Sequence, residues 1–426
     1  MNINAHLVFT KMSQISALRL TGAILIILIG LASIIGTGGS GGVIDVVPDL
    51  EEPTLFNKGL DTGDMNGDGL IDIVVGSRLV TPENTATNHI DVLLQDISRP
   101  GTFLVPKRYA ASESPEQVRL ADLNGDMALD VMVTHRFSAK SFDVLLQDSA
   151  DAAQLGKATK FTTVSRPNQI AAGDIDLDGF VDIVVAGETS VAWHPQQASG
   201  SFSARNTIGT GVDTVALADL DVDGLLDVAT QGGIPSDDVL VYMQRAGLTG
   251  AFGPAISVPT NHALKALAID DLDGDGRLDI AAAGFGSGDI GEFFGVWLPV
   301  LQASSNLPTF ELRPGFVNPA FNTDAIDTGD LNGDGRTDVI LGNFNGGGAL
   351  SSVEVYLRDD VPLMFRIDKM YLLPVDGFIY AVSIADLNND LLPDIAVSGD
   401  EVFVLFQKPG SPGRFAEPVR IQGSKP

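Results

Sequence analysis

Apolar residues in this chain come in short runs and not at helical spacing. Segments such as "QVRLADL" (117–123), "TVALADL" (214–220) and "AVSIADL" (381–387) lead into an acidic loop. A second β-branched run follows each loop, as in "DIVVG" (72–76), "DIVVAG" (182–187) and "DVILG" (338–342). A third run ends near Gln or Arg, as in "DVLLQD" (91–96 and 143–148), "VLVYMQR" (239–245) and "VFVLFQK" (402–408). A fourth opens near a phenylalanine: Phe103, Phe161, Phe202, Phe252, Phe310, Phe365 and Phe415. Such runs, bounded by Gly, Asn and Asp, are the length of strands and too often interrupted for helices.

The loops repeat. "DMNGDGLID" (64–72), "DLNGDMALD" (122–130), "DIDLDGFVD" (174–182), "DLDVDGLLD" (219–227), "DLDGDGRLD" (271–279), "DLNGDGRTD" (330–338) and "DLNNDLLPD" (386–394) are spaced by 58, 52, 45, 52, 59 and 56 residues. Four short strands per unit and seven units predict an all-β, seven-bladed β-propeller of four-stranded blades over residues 50–426, with one hairpin loop per blade on a common face. A stacked β-solenoid is the runner-up, and its repeat is usually much shorter.

Each loop carries Asp or Asn at positions 1, 3, 5 and 9. Position 1 is Asp64, Asp122, Asp174, Asp219, Asp271, Asp330 and Asp386. Position 3 is Asn66, Asn124, Asp176, Asp221, Asp273, Asn332 and Asn388. Position 5 is Asp68, Asp126, Asp178, Asp223, Asp275, Asp334 and Asp390, and position 9 is Asp72, Asp130, Asp182, Asp227, Asp279, Asp338 and Asp394. Calcium is a hard cation that takes six to eight oxygens, and alternating carboxylates on a tight loop can supply several. Glycine at position 6 (Gly69, Gly179, Gly224, Gly276, Gly335) permits the sharp turn. Turn formation alone explains one Asp-Gly loop but not a fixed pattern repeated seven times. Up to seven Ca²⁺ sites are therefore expected. The loops at 122–130 and 386–394 are expected to be weak or empty, because Met127 and Leu391 stand where the glycine should be. Magnesium prefers fewer protein ligands, and zinc lacks His or Cys here.

These units resemble the FG-GAP/VCBS repeats of integrin α-subunit-like propellers, in their bacterial form. The resemblance spans all seven units. At the head of the fourth segment the literal Phe-Gly pair survives only at Phe252-Gly253. It implies structural calcium in the loops and a propeller that serves as an adhesion or interaction platform.

Net charge is −29, which argues against a nucleic-acid partner. The absence of cysteine excludes disulfides, thiolate metal sites and a cysteine nucleophile. At the N-terminus, Lys11 and Arg19 precede an apolar run from Thr21 to Ile35, then a Gly-rich tract. This order reads as a signal peptide or N-terminal membrane anchor over 1–36 and a linker over 37–49. A periplasmic, cell-surface or extracellular location follows, with a possible tether through residues 20–36.

No G-x-S-x-G, H-E-x-x-H or P-loop is present. His89, His135, His194 and His262 fall in different repeats and read as surface or strand-end residues. Trp193, Trp297 and the tyrosines read as core residues in or beside third strands. The expectation is a platform without catalysis, for a protein or surface partner. The alternatives are a carbohydrate-binding propeller or one associated with a polysaccharide lyase or hydrolase.

Overall fold

The computed structural model describes residues 54–421, apart from short stretches at 82–84, 136–139, 149–152, 164, 204, 234–236, 288–292, 305–308, 319–321, 345–349 and 376. The expected signal or anchor (1–36) and linker (37–49) lie outside the described residues. Among those described, no helix is long and apolar enough to cross a membrane.

Seven antiparallel sheets follow one another along the chain, each built from four consecutive strands in sequential order. The fifth adds a strand at Phe316–Asn318, and the fourth adds a small hairpin of Gln244–Arg245 with Leu248–Phe252. The solenoid alternative is thereby excluded. First strands are Thr54–Gly63, Pro115–Ala121, Pro167–Gly173, Val212–Ala218, Ala263–Asp270, Asn322–Gly329 and Ala381–Ala385. Each second strand starts at the position-9 aspartate of its loop, from Asp72 to Asp394.

Apolar residues fill the spaces between blades. Val184 and Trp193 of blade 3 share a core cluster with Val228 and Tyr242 of blade 4. Leu60, Ile73 and Val75 of blade 1 share another with Ala396, Val402 and Val404 of blade 7. The ring closes there. The Asn57 amide donates to the Gly399 carbonyl at 3.1 Å, and blade 7 takes its outer strand from its own C-terminal residues Val419–Arg420. Among the described residues, "FAEPVRIQ" thus completes the last blade by itself. The segment "VIDVV" (43–47), whose β-branched run could also supply a closing strand, lies outside them.

The repeating phenylalanine has a specific role. It bridges the Gln that ends the third strand, in the pairs Gln95–Phe103, Gln196–Phe202 and Gln407–Phe415. Blade 2 departs from the expected register. There the bridge is Gln147–Leu155, and Phe161 sits farther on, inside the fourth strand. Leu155 is therefore the equivalent residue.

Candidate metal centres

The same hydrogen bonds recur in all seven loops. The position-1 carboxylate accepts the position-5 N–H on Oδ1 at 3.0–3.1 Å and the position-6 N–H on Oδ2 at 2.7–3.0 Å. The position-9 carboxylate accepts the position-2 N–H on Oδ2 at 2.9–3.0 Å. Its Oδ1 accepts the N–H of the Gln or Arg ending the third strand, at 2.7–2.8 Å. That bond explains why a third-strand Gln or Arg recurs in the sequence. Position 9 is a fully buried staple between loop and third strand as well as a candidate ligand.

The geometry sorts the expected ligands. In loops 3, 4 and 5, one carboxylate oxygen each from positions 1, 3 and 9 lies within 4.8 Å of the others: Asp174, Asp176 and Asp182; Asp219, Asp221 and Asp227; Asp271, Asp273 and Asp279. Asp176 Oδ1 and Asp221 Oδ1 are buried with no hydrogen-bond partner. A buried acceptor without a donor costs about 1–3 kcal/mol, and a hard cation seated among the three carboxylates would supply the missing partner. These residues fit calcium. In loops 1, 2, 6 and 7, position 3 is Asn, whose amide oxygen is an equally hard ligand.

Position 5 does not join these groups. Its Oδ1 caps the position-7 N–H, as Asp178 does for Phe180 at 2.9 Å. In loops 5 and 6 its other oxygen pairs with an arginine, Asp275 with Arg277 and Asp334 with Arg336. In loops 3 to 5 the three carboxylates that lie together are thus those of positions 1, 3 and 9, with position 5 turned to the backbone of its own loop.

Burial pushes the position-9 carboxyls up, to about 7 at Asp72, Asp227, Asp279, Asp338 and Asp394 and about 6 at Asp130 and Asp182. Two backbone N–H groups oppose this at each site, and neighbouring loop aspartates add to it. Burial, then the charge of Asp178 or Asp223, likewise raises Asp176 and Asp221. A metal-free cage thus disfavours its own charge, which a divalent cation would offset.

Two loop positions take a left-handed backbone. Position 6 has φ of 79–87° in the five glycine loops, 69° at Met127 and 65° at Leu391. Position 4 does so too. It is Gly67, Gly125, Gly274 and Gly333 in four loops but Leu177, Val222 and Asn389 in the others. The strain expected only at loops 2 and 7 therefore extends to loops 3 and 4. A sequence comparison of the loops at position 4 carried this signal.

The histidines do not converge. His89 and His194 on third strands and His135 on a second strand are buried and not at the surface. Among the described residues, none lines the central cavity. His135, Asp143 and Ser112 come together but do not form a catalytic relay. Ser112 Oγ donates directly to Asp143 Oδ1 at 2.6 Å. The same His135 nitrogen faces both Asp143 (3.1 Å) and Ser112 (3.5 Å). Both the His and the Asp side chains are sealed from solvent. Trp193 and Trp297 are core residues as expected. Tyr109 and Tyr371 lie on fourth strands and Tyr380 at the channel, away from the third strands.

A family model of FG-GAP-like repeats matches residues 64–133, 122–185, 174–230 and 330–397, more than half of the chain. No curated protein matches the sequence. Among solved structures, the periplasmic gluconolactonase PpgL of Pseudomonas aeruginosa is similar at 17% identity, over 87% of this chain and 97% of that one, with a TM-score of 0.55. A lectin of Agrocybe aegerita that recognises non-reducing terminal N-acetylglucosamine is similar at 16% identity, over 87% and 90% of the two chains, with a TM-score of 0.46. The exotype rhamnogalacturonan lyase YesX aligns at 13% identity over 86% and 74%, with a TM-score of 0.45.

The gluconolactonase match corrects one expectation. An enzyme shares this propeller fold, so the inference from missing motifs to absent catalysis does not hold. In a propeller, reacting groups from different blades can meet at the centre and leave no local signature along the chain.

Proposed function

The chain belongs to the FG-GAP-like repeat family, and on that footing we propose that it is an exported, calcium-stabilised β-propeller whose rigid ring presents a binding face to a protein or surface partner. The observation that carries the calcium reading is the pair of buried, partnerless oxygens, Asp176 Oδ1 and Asp221 Oδ1, each inside a three-carboxylate cage. Asp174, Asp176 and Asp182 would hold one ion, and the corresponding residues of loops 4 and 5 two more. A bound ion would tie the first strand, the loop and the start of the second strand together, while the position-9 carboxylate keeps its bond to the third. Export is supported by the order of Lys11, Arg19 and the apolar run to Ile35. It also suits exposed loops of modest affinity, since extracellular calcium modules work at about 10⁻⁴–10⁻³ M.

Thermal unfolding in calcium, in magnesium and in excess chelator tests the reading. Each ion that binds only the folded ring adds about 2.7 kcal/mol at a concentration 100 times its Kd. Three filled cages therefore raise the melting temperature substantially, and magnesium does so much less. Equal melting in calcium and chelator would refute the calcium sites.

A further inference from the structure

The end of the channel remote from the acidic loops holds a cavity of about 450 Å³, within the range of small-molecule sites. All seven blades contribute to it through one register position, six residues before the first aspartate of each loop. These residues are Lys58, Glu116, Asn168, Asp213, Lys265, Asp324 and Tyr380. Six residues of strand place them about 20 Å from the loops.

The backbone bends to aim them. In five blades a β-bulge leaves this residue opposite no partner on the second strand: Glu116 between Pro115 and Val118, Asn168 between Pro167 and Gln169, Asp213 between Val212 and Val215, Lys265 between Leu264 and Ala266, and Asp324 between Thr323 and Ala325. In blade 1 the extra residue is the adjacent Gly59, with φ of 63°. A bulge re-aims a side chain at the cost of ladder hydrogen bonds, and here it recurs around one cavity.

Most of the charges compensate one another. Lys58 Nζ pairs with Glu116 at 2.9 Å, and Lys265 Nζ with Asp213 at 3.3 Å, where Asn168 also donates to Asp213. Asp324 is the exception, because its Oδ2 is buried with no hydrogen-bond partner among the described residues. Aromatic rings complete the wall. Phe378 stacks on Tyr380 at 6.0 Å between centroids, and Phe285 also lines the cavity. The lining therefore alternates donors and acceptors, keeps two acceptors unspent among the described residues (Asp324 Oδ2 and Asn168 Oδ1), and offers an apolar face.

We propose that this cavity is a binding site for a neutral saccharide of one or two rings. A hydroxyl both donates and accepts, so a polyol can meet the ammonium and carboxylate groups of the ring in turn. One hydroxyl donates to Asp324 Oδ2, and the C–H face of the sugar ring lies on Phe378, held in place by Tyr380, whose own ring carries the Lys58 ammonium 4.7 Å from its centroid. A ligand of single net charge would oppose either the lysines or the carboxylates. The site deepens the platform reading but rests only on the folded ring. The calcium sites lie at the opposite end of the channel, so failure of one reading leaves the other standing.

The test is titration of the full-length protein with neutral hexoses, neutral disaccharides, hexosamines and hexuronates, read by calorimetry or saturation-transfer NMR. Asp324→Asn and Tyr380→Ala are measured alongside, with their melting curves checked against the parent. The expected result is binding of a neutral saccharide, weakened about tenfold or more by Asp324→Asn and also weakened by Tyr380→Ala, with melting unchanged. Should Tyr380→Ala melt early, Tyr380→Phe with Asp324→Asn replaces it. Three results overturn the proposal: no saccharide binds, only charged sugars bind, or the folded variants bind as the parent does.

Discussion

Besides Asn389, whose residue type tolerates it, four loop residues hold a left-handed backbone without being glycine, and their side chains do little in return. Met127 (φ 69°) is 94% exposed, Leu391 (65°) 88%, Val222 (60°) 75% and Leu177 (56°) 55%. An L-residue in this region costs about 1–2 kcal/mol. Replacing it with glycine frees the unfolded chain and returns about 0.4–1 kcal/mol of that gain. Each substitution should thus stabilise the ring by about 0.5–1 kcal/mol, a counter-intuitive sign for Leu, Val or Met to Gly. The loops belong to separate blades, so the effects should add. A Met127→Gly, Leu177→Gly, Val222→Gly, Leu391→Gly quadruple variant is expected to gain about 2–4 kcal/mol in urea unfolding. The converse control is Gly276→Ala, where φ is 82° and an added methyl meets no atom within 4 Å. It should lose about 1 kcal/mol from backbone strain alone. A quadruple variant less stable than the parent would refute the strain argument, and with it the account of why glycine recurs in these loops.

Position 9 and position 3 should separate by their dependence on calcium. Asp279→Ala strips the acceptor from the Leu272 and Gln302 N–H groups and should cost about 2–5 kcal/mol with or without calcium. Asp273→Asn should leave melting in chelator unchanged and shrink the rise produced by calcium. Acid stability should depend on Asp143. Burial pushes its carboxyl up, but hydrogen bonds from His135 and Ser112 and the His135 charge outweigh this and leave it below its ordinary value of 3.8. A depressed carboxylate contributes stability that is present above the unfolded value and lost as pH falls through the folded one. Asp143→Asn should therefore weaken the protein at pH 7 and flatten the fall in melting temperature below about pH 4. An unchanged acid limb would show that other carboxylates set it.

The fold was legible because every blade meets the same local requirement. Short β-branched runs and an acidic turn recur at each unit, with a bridging Gln–Phe pair at most of them, so the repeat of Asp64 to Asp394 counted the blades. What was missed depends on tertiary placement. The position-9 aspartates read as ligands, but their bonds to third-strand N–H groups appear only once the strands pair. Leu155 replaces Phe as the bridging residue in blade 2, where Phe161 stood as a decoy six residues on. His135 carried no signal of burial, because its partners are remote in sequence: Asp143 on the next strand and Ser112 in the connection from blade 1.

The central cavity was invisible for a related reason. Scaffold residues repeat because each blade solves one problem seven times; a site on the ring's axis needs seven different contributions, one from each blade. The position six before each loop runs Lys, Glu, Asn, Asp, Lys, Asp, Tyr. Three residues farther along, it runs Asp61, Arg119, Ala171, Ala216, Ala268, Asp327, Ser383. That inner set is polar on the contiguous arc of blades 6, 7, 1 and 2 and alanine on the rest. The Asp61 carboxylate accepts the Leu120 N–H from the next blade at 2.9 Å, and Asp327 accepts the Ile384 N–H in the same way. Read along the chain, these positions are noise between motifs. Read around the axis, the outer set is a ring of alternating charge and the inner set a ring with a polar side and an apolar side. In a propeller, then, periodicity locates the scaffold. The place to look for recognition is the register position where periodicity fails in every blade at once.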